Sequence, residues 1–148
     1  MSGFHIRAYE PSDEAAVIGL WQACGLVVPQ NNPERDIRRK LKVNPEWFLV
    51  GVLDRLVIGT CMAGYEGHRG WINYLAVHPG HQRRGIASRL MKHAESLLRS
   101  AGCPKVNLQV RATNTTVLAF YQHLGFSEDA VVSLGKRLIQ DDPALQPS

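Results

Sequence analysis

Three cysteines in 148 residues, Cys24, Cys61 and Cys103, are widely separated and odd in number, which excludes a disulfide framework. They form no CxxC pair and share no spacing with histidine of the kind zinc needs, so the expectation is reduced thiols and no metal. Long apolar runs are lacking too. The longest extend over about seven residues, such as 47–53, where a membrane span needs roughly 18. Arg7, Glu10, Asp13 and Glu14 interrupt any apolar core of a signal peptide, and the two absences together predict a cytoplasmic protein with no membrane partner. There is no Gly/Ser/Pro linker, low-complexity tract or internal repeat to divide the chain. One domain over residues 4–139 is predicted, with a loosely ordered tail over 140–148.

What is present is ordinary for a globular chain: 45 % hydrophobic and 20 % charged residues, a balance that excludes a disordered or collagen-like protein. A domain of this length buries roughly two thirds of its unfolded surface, enough for a core with a cleft. Lys and Arg number 17 and Asp and Glu 13, for a net charge of +4, a mild lean toward an anionic ligand.

Periodicity predicts a strand over 4–9 and a helix that Ser12 can cap, with Ala16, Leu20 and Cys24 at helical spacing. A second helix is expected over 33–42. Its Ile37 and Leu41 lie one turn apart, while Arg35, Arg38, Arg39, Lys40 and Lys42 make it basic, either as a solvated face or as a contact for phosphate or substrate. Residues 47–53 and 56–65 read as a hairpin turning at Asp54 and Arg55, and 71–78 as a third strand closed by Pro79. Residues 85–101 form the strongest helix, ended by Gly102 and Pro104. A strand over 105–111, a helix from the cap Asn114 through Leu124, and a last strand over 130–138 complete the order β-α-α-β-β-β-α-β-α-β(-β). The fold class is α/β, an α+β mixed sheet with flanking helices, in which the crossover from 71–77 to 106–110 makes parallel strands. Ligands of such sheets bind at the carboxyl ends of parallel strands, which points to residues 78–87.

That segment reads His78-Pro79-Gly80-His81-Gln82-Arg83-Arg84-Gly85-Ile86-Ala87. The first turn of a helix leaves about four N–H groups without intrahelical partners and carries roughly half a positive charge, so it attracts an anion. Gly85 allows close approach, the small Ala87 keeps the first turn clear, and Arg83 and Arg84 add charge where a diphosphate would lie. Alone, the loop is equally compatible with a basic turn that merely starts a helix.

Gln82-x-x-Gly85-x-Ala87 after the strand Asn73-Tyr74-Leu75-Ala76-Val77, followed by Asn114 and then Ala119-Phe120-Tyr121-Gln122-His123-Leu124-Gly125-Phe126, resembles the GNAT family of acetyl-CoA-dependent N-acetyltransferases. The similarity extends from Phe4 to about Ile139. The stretches 64–70, 102–105 and 133–138 look like those of small stand-alone bacterial acetyltransferases of the YpeA type. The resemblance implies a GNAT-like central twisted mixed sheet. It further implies that backbone N–H groups of Arg83, Arg84, Gly85, Ile86 and Ala87 hold the coenzyme A pyrophosphate, with Gln82 opening the loop. Leu75, Ala76 and Val77 would pair with the pantetheine arm as if it were a strand, and an N–H near Val77 would polarise the thioester carbonyl. Tyr121 matches the family tyrosine that can protonate the leaving thiolate, and Asn114, first of all a helix cap, would lie beside the cofactor. Taken without the motif, Tyr121 reads as a core aromatic.

An amine with a pKa near 10.4 must lose its proton to attack, so a base or a water relay is needed. Glu66 is the leading candidate, with His68 and Tyr74 as alternatives. Cys61 is not expected to carry an acyl group, since a strand cysteine is usually a small hydrophobe. The reaction expected is direct transfer of acetyl from acetyl-CoA, as cosubstrate, to a primary amine of a small molecule or of a protein lysine or N-terminus. A non-catalytic acyl-CoA-binding regulatory module is the alternative. No nucleic-acid-binding signature accompanies the modest charge, and both a monomer and a homodimer are compatible with the sequence.

Overall fold

The computed structural model describes residues 2–145. Its elements are β1 (Phe4–Ala8), α1 (Glu14–Ala23), α2 (Pro33–Lys40), β2 (Phe48–Leu53), β3 (Leu56–Tyr65), β4 (Gly70–Val77), α3 (Ile86–Ser100), β5 (Val106–Asn107) and α4 (Thr115–His123). The strands form one sheet in the order β1-β2-β3-β4-β5. The first four pair antiparallel, and β4 and β5, joined through α3, pair parallel. This is the mixed sheet with flanking helices read from the sequence.

Alternate residues of a strand face opposite sides, and both sides of this sheet are covered. Val17, Leu20 and Trp21 of α1 and Ile37 of α2 pack with Phe48, Val50, Val52, Met62 and Ala76. On the other side Ile86, Leu90, Met91, Ala94 and Leu98 of α3, with Tyr121 of α4, pack with Leu49, Cys61, Ala63 and Ile72. Among the described residues no helix is long and apolar enough to cross a membrane.

Four local expectations are corrected. Ser12 caps nothing, because Pro11–Asp13 forms a 3-10 turn and the N-cap position of α1 falls to Asp13, whose side chain turns back instead of capping the helix. The Asp13 carboxylate accepts the Glu10 N–H (2.8 Å) and both ends of the Arg7 guanidinium (2.7 and 3.0 Å). Helix α2 stops at Lys40, not Lys42. The strand expected over 105–111 pairs only at Val106 and Asn107. The last strand, expected over 130–138, is absent. That segment is held beside β5 by side chains instead: Lys105 and Asn107 reach Asp129 (2.9 Å each), and Gln109 donates to Ser133. Its backbone joins no ladder, so Val132, Leu134 and Leu138 stay more than four-fifths exposed.

The tail is also tied down at its start. Asp141 is 3 % exposed and pairs with Arg39 (2.8 Å) and Arg35 (3.3 Å) of α2. Residues 146–148 of that stretch lie outside the described residues.

Candidate functional site

The site begins with a miscount between β3 and β4. Thr60 faces Ala76 and Met62 faces Asn73, so two steps on β3 oppose three on β4. The extra residue is a bulge, and Tyr74 within it has φ +51°. A positive φ for a bulky side chain costs roughly 1–3 kcal/mol and persists only where surrounding contacts impose it. Those contacts are present. The Thr60 hydroxyl donates to the Tyr74 carbonyl (2.8 Å) and accepts from the Trp21 indole (2.9 Å), while the Tyr74 ring stacks on Trp21 at 3.9 Å.

Beyond Trp71 the β4–β5 ladder ends, so among the described residues 72–77 have no strand partner on that edge. The direction of their polar groups follows from the neighbouring bond. His78 donates its N–H to Ile58 of β3 (2.8 Å), and successive N–H groups of a strand alternate edges, so those of Val77 and Leu75 face the open side. Leu75, Ala76 and Val77 therefore present an unpaired strand edge of the kind an amide-rich chain can pair with.

This edge leads directly into the loop. Gln82 is exposed, and its amide reaches back to the Val77 carbonyl (3.4 Å), which also accepts the Cys24 thiol (3.3 Å). Arg83 and Gly85 both take positive φ, +64° and +75°, turning the chain sharply into α3. Gly85 is the N-cap of α3 and has no side chain to satisfy the first-turn N–H groups, and a Cβ placed there would meet open space. Arg83 and Arg84 are exposed, Ile86 is buried beneath the turn, and Ala87 is half-buried. Uncapped donors, open space and two exposed cations fit a diphosphate.

Tyr121 packs on the same side of the sheet as α3, in one core with Ile86 and Leu90. It is 9 % exposed, its ring meets Phe126 edge-on at 5.6 Å, and burial pushes its pKa up to about 12. Its hydroxyl is therefore protonated at neutral pH. Asn114 caps α4 by accepting the Val117 N–H (3.3 Å). Tyr121 lines a cleft of about 1230 Å³ that runs along β5 between α4 and residues 131–133. The cleft is bordered by Leu108 and Val110 but by none of residues 79–87, so it is not the anion loop.

Glu66 lies apart from this group. Its carboxylate accepts the backbone N–H groups of His68 (2.6 Å) and Arg69, and these bonds hold its pKa below the usual carboxylate range. It follows Tyr65, whose partner Gly70 begins β4, about 16 Å of strand from Leu75 at some 3.3 Å per residue. The Glu66 side chain thus stabilises its own turn, and these bonds weaken it as a base. His68 shares that turn. Tyr74 is at the bulge, but its hydroxyl donates to Asp36 (2.6 Å), and burial raises its pKa strongly, which makes it a donor at neutral pH. Cys61 is fully buried, with its thiol pushed up to about 12, and is unsuited to nucleophilic work.

Sequence reasoning missed Trp21, Thr60, Asp36 and Asp141. Thr60 and Trp21 are both fully buried, and their mutual bond connects elements 39 residues apart, which leaves no local pattern to read. Asp141 left no signal in a proline-containing tail.

Comparison with known proteins gives a family and a shared fold. Residues 13–126 match the family model described as the Acetyltransferase (GNAT) family. The chain is 47 % identical over 137 residues to "Acetyltransferase SG1711" of Sodalis glossinidius, covering 92 % of this chain and 96 % of the relative. Among solved structures, Ard1 from Thermoplasma volcanium superposes with a TM-score of 0.79 at 26 % identity, over 86 % of this chain and 85 % of that one. The aminoglycoside N-acetyltransferase AAC(6')-Iy, solved in complex with CoA, superposes with a TM-score of 0.74 at 19 % identity, over 92 % and 95 % of the two chains.

Proposed function

Because this chain belongs to the GNAT family of acetyltransferases, we propose that it transfers the acetyl group of acetyl-CoA directly to a primary amine, on a small molecule or on a protein lysine or N-terminus. The observation that carries this reading is the continuity of the unpaired β4 edge with the uncapped start of α3. An extended, amide-containing arm ending in a diphosphate is complementary to both at once.

In this reading the N–H groups of residues 83–87 and the two arginines hold the pyrophosphate, and Leu75, Ala76 and Val77 pair with the pantetheine amides. Acetyl-CoA supplies the activated acetyl group. The Val77 N–H, facing the open edge, donates to the carbonyl oxygen as negative charge builds on it, an effect worth about 3 kcal/mol per donor in comparable sites. Tyr121, protonated at neutral pH, gives its proton to the departing sulfur. The amine arrives from the side of α1 and α2, and water passes its proton to solvent, since Glu66 is engaged in its own turn. Buried Cys61 takes no part, which leaves attack on the bound thioester as the route.

The reading groups the chain with its small bacterial acetyltransferase relatives and looks for acceptor choice in the loops around this site. A screen of thiol release from acetyl-CoA over amines and peptides tests it. Amine-dependent release is the expected result, and release from none of the panel despite coenzyme A binding favours the regulatory alternative.

A further inference from the structure

Tyr74 is the one strand residue with positive φ among the described non-glycine residues, and it is anchored by more than its own strand. Its phenol donates to Asp36 Oδ2 (2.6 Å). The other Asp36 oxygen accepts from Arg39 (3.1 Å), and Arg39 grips Asp141 with both nitrogens (2.8 and 3.0 Å), while Arg35 adds a third contact (3.3 Å). A continuous polar chain thus runs from residue 141 through α2 to the bulge. Asp141 is buried at its end, whereas the Arg39 and Arg35 side chains are 44 % and 45 % exposed.

Helix α2 spans only residues 33–40, and its one buried side chain is Ile37. Apolar packing alone holds so short a helix weakly, and the paired arginines and carboxylates fix which face meets β4. The consequence reaches the cofactor edge. If the phenol is released, Tyr74 can return to ordinary β geometry, and a strand that loses its extra residue exchanges the edges toward which its N–H groups point. Leu75 and Val77 would then turn their donors away from the open side.

We propose that Asp141 is a positioning residue for the coenzyme A channel, acting through Arg39 and Asp36 to hold Tyr74 in the bulge that opens β4. This rests on the reading of the β4 edge as the cofactor site. The segment around Asp141 is accordingly part of the working enzyme.

The test is calorimetric titration of coenzyme A into the full chain, which needs no knowledge of the acceptor. Asp141→Asn, Arg39→Gln and Tyr74→Phe are each expected to weaken binding about three- to tenfold, the net worth of one hydrogen bond. Arg39→Gln alters a half-exposed side chain and serves where Asp141→Asn does not fold. The double variant Arg39→Gln/Tyr74→Phe is expected to bind no more weakly than the weaker single, because both act through one contact chain. Losses that multiply in the double variant overturn the proposal, since independent structural damage behaves that way. A wild type that binds while Arg39→Gln and Tyr74→Phe match it overturns the clamp alone, and a wild type that binds no coenzyme A overturns the site reading and the clamp together.

Discussion

Gln82 donates its side-chain amide to the carbonyl of Val77 (3.4 Å), so the loop that leads to α3 is tied back onto the last residue of β4. The Cys24 thiol shares that carbonyl (3.3 Å), which brings the end of α1 to the same point. With its C=O engaged, Val77 keeps its N–H facing the open edge. Strand and loop thereby act as one surface, and damage to the loop should be read in cofactor binding.

Gly85→Glu tests that coupling. The added side chain enters open space, so the fold pays only for a non-glycine residue at φ +75°, about 1–2 kcal/mol. The ligand meets both bulk and a like charge where its diphosphate would lie, worth several kcal/mol, or about a hundredfold or more in affinity. Calorimetry should show coenzyme A binding lost while the protein still melts cooperatively. Unaltered affinity would remove the loop from the site.

Glu66→Gln should leave turnover and its basic limb as in wild type, because the Glu66 carboxylate serves the His68 and Arg69 N–H groups. Its pKa is lowered in the folded state, so the stabilisation it gives is present above the ordinary carboxylate pKa and is lost as pH falls through its folded value. The variant should therefore melt slightly lower at neutral pH and converge with wild type in acid. A rate loss with a displaced basic limb would restore Glu66 as the base.

Asp141 gives a second pH signature. Its ion pairs with Arg39 and Arg35 lower its pKa to about 2, against 3.8 for a free side chain. The carboxylate thus contributes stability above pH 4 or so, and this is lost as pH falls toward 2. Melting temperature followed from pH 5 to pH 2 should fall more steeply for wild type than for Asp141→Asn. Parallel curves would show that the contact does not form in solution.

Most of the sheet was legible because its signals are local. Helix α3 falls within the span read for it, with Ile86, Leu90 and Ala94 buried at helical spacing, and the loop of residues 82–87 announces itself through Gly85 and two arginines. What escaped depends on partners distant in sequence. Residues 131–138 alternate like a strand, yet a strand exists only where another edge pairs with it, and Asp129 and Ser133 are held by side chains instead. Tyr74 read as an ordinary strand residue, because its conformation is imposed by Trp21, Thr60 and Asp36 from three other elements. The turn bonds of Glu66 were hidden for a related reason: chemistry alone favours a carboxylate near a strand end, and only geometry shows it already engaged.

The hairpin turn offers a gain in stability. Asp54 and Arg55 both take positive φ, +47° and +71°, which matches a type I′ turn whose second position favours glycine. An L side chain in this region costs about 1–2 kcal/mol, partly offset in a glycine variant by the greater freedom of the unfolded chain. Arg55→Gly should thus stabilise the domain by about 0.5–1 kcal/mol, a rise of roughly 2–4 °C in Tm by calorimetry. Because neither turn residue belongs to the open β4 edge or to residues 82–87, coenzyme A affinity should not change.

Tyr121 carries the sharpest chemical claim. Burial raises its pKa to about 12, so the hydroxyl holds its proton across any practical assay range. A group needed in its protonated form costs activity only as pH approaches its pKa, so Tyr121 should impose no descending limb below about pH 11. Thiolates are good leaving groups, with a pKa near 8.5, so the acid contributes at or below the usual range of about 10²- to 10⁴-fold. Tyr121→Phe retains the edge-on contact with Phe126 and removes one oxygen. The expected outcome is a fall in kcat of about ten- to a hundredfold with coenzyme A affinity within about twofold of wild type. An unchanged kcat would mean that the thiolate departs unaided, and an equal loss of affinity would make Tyr121 a binding residue.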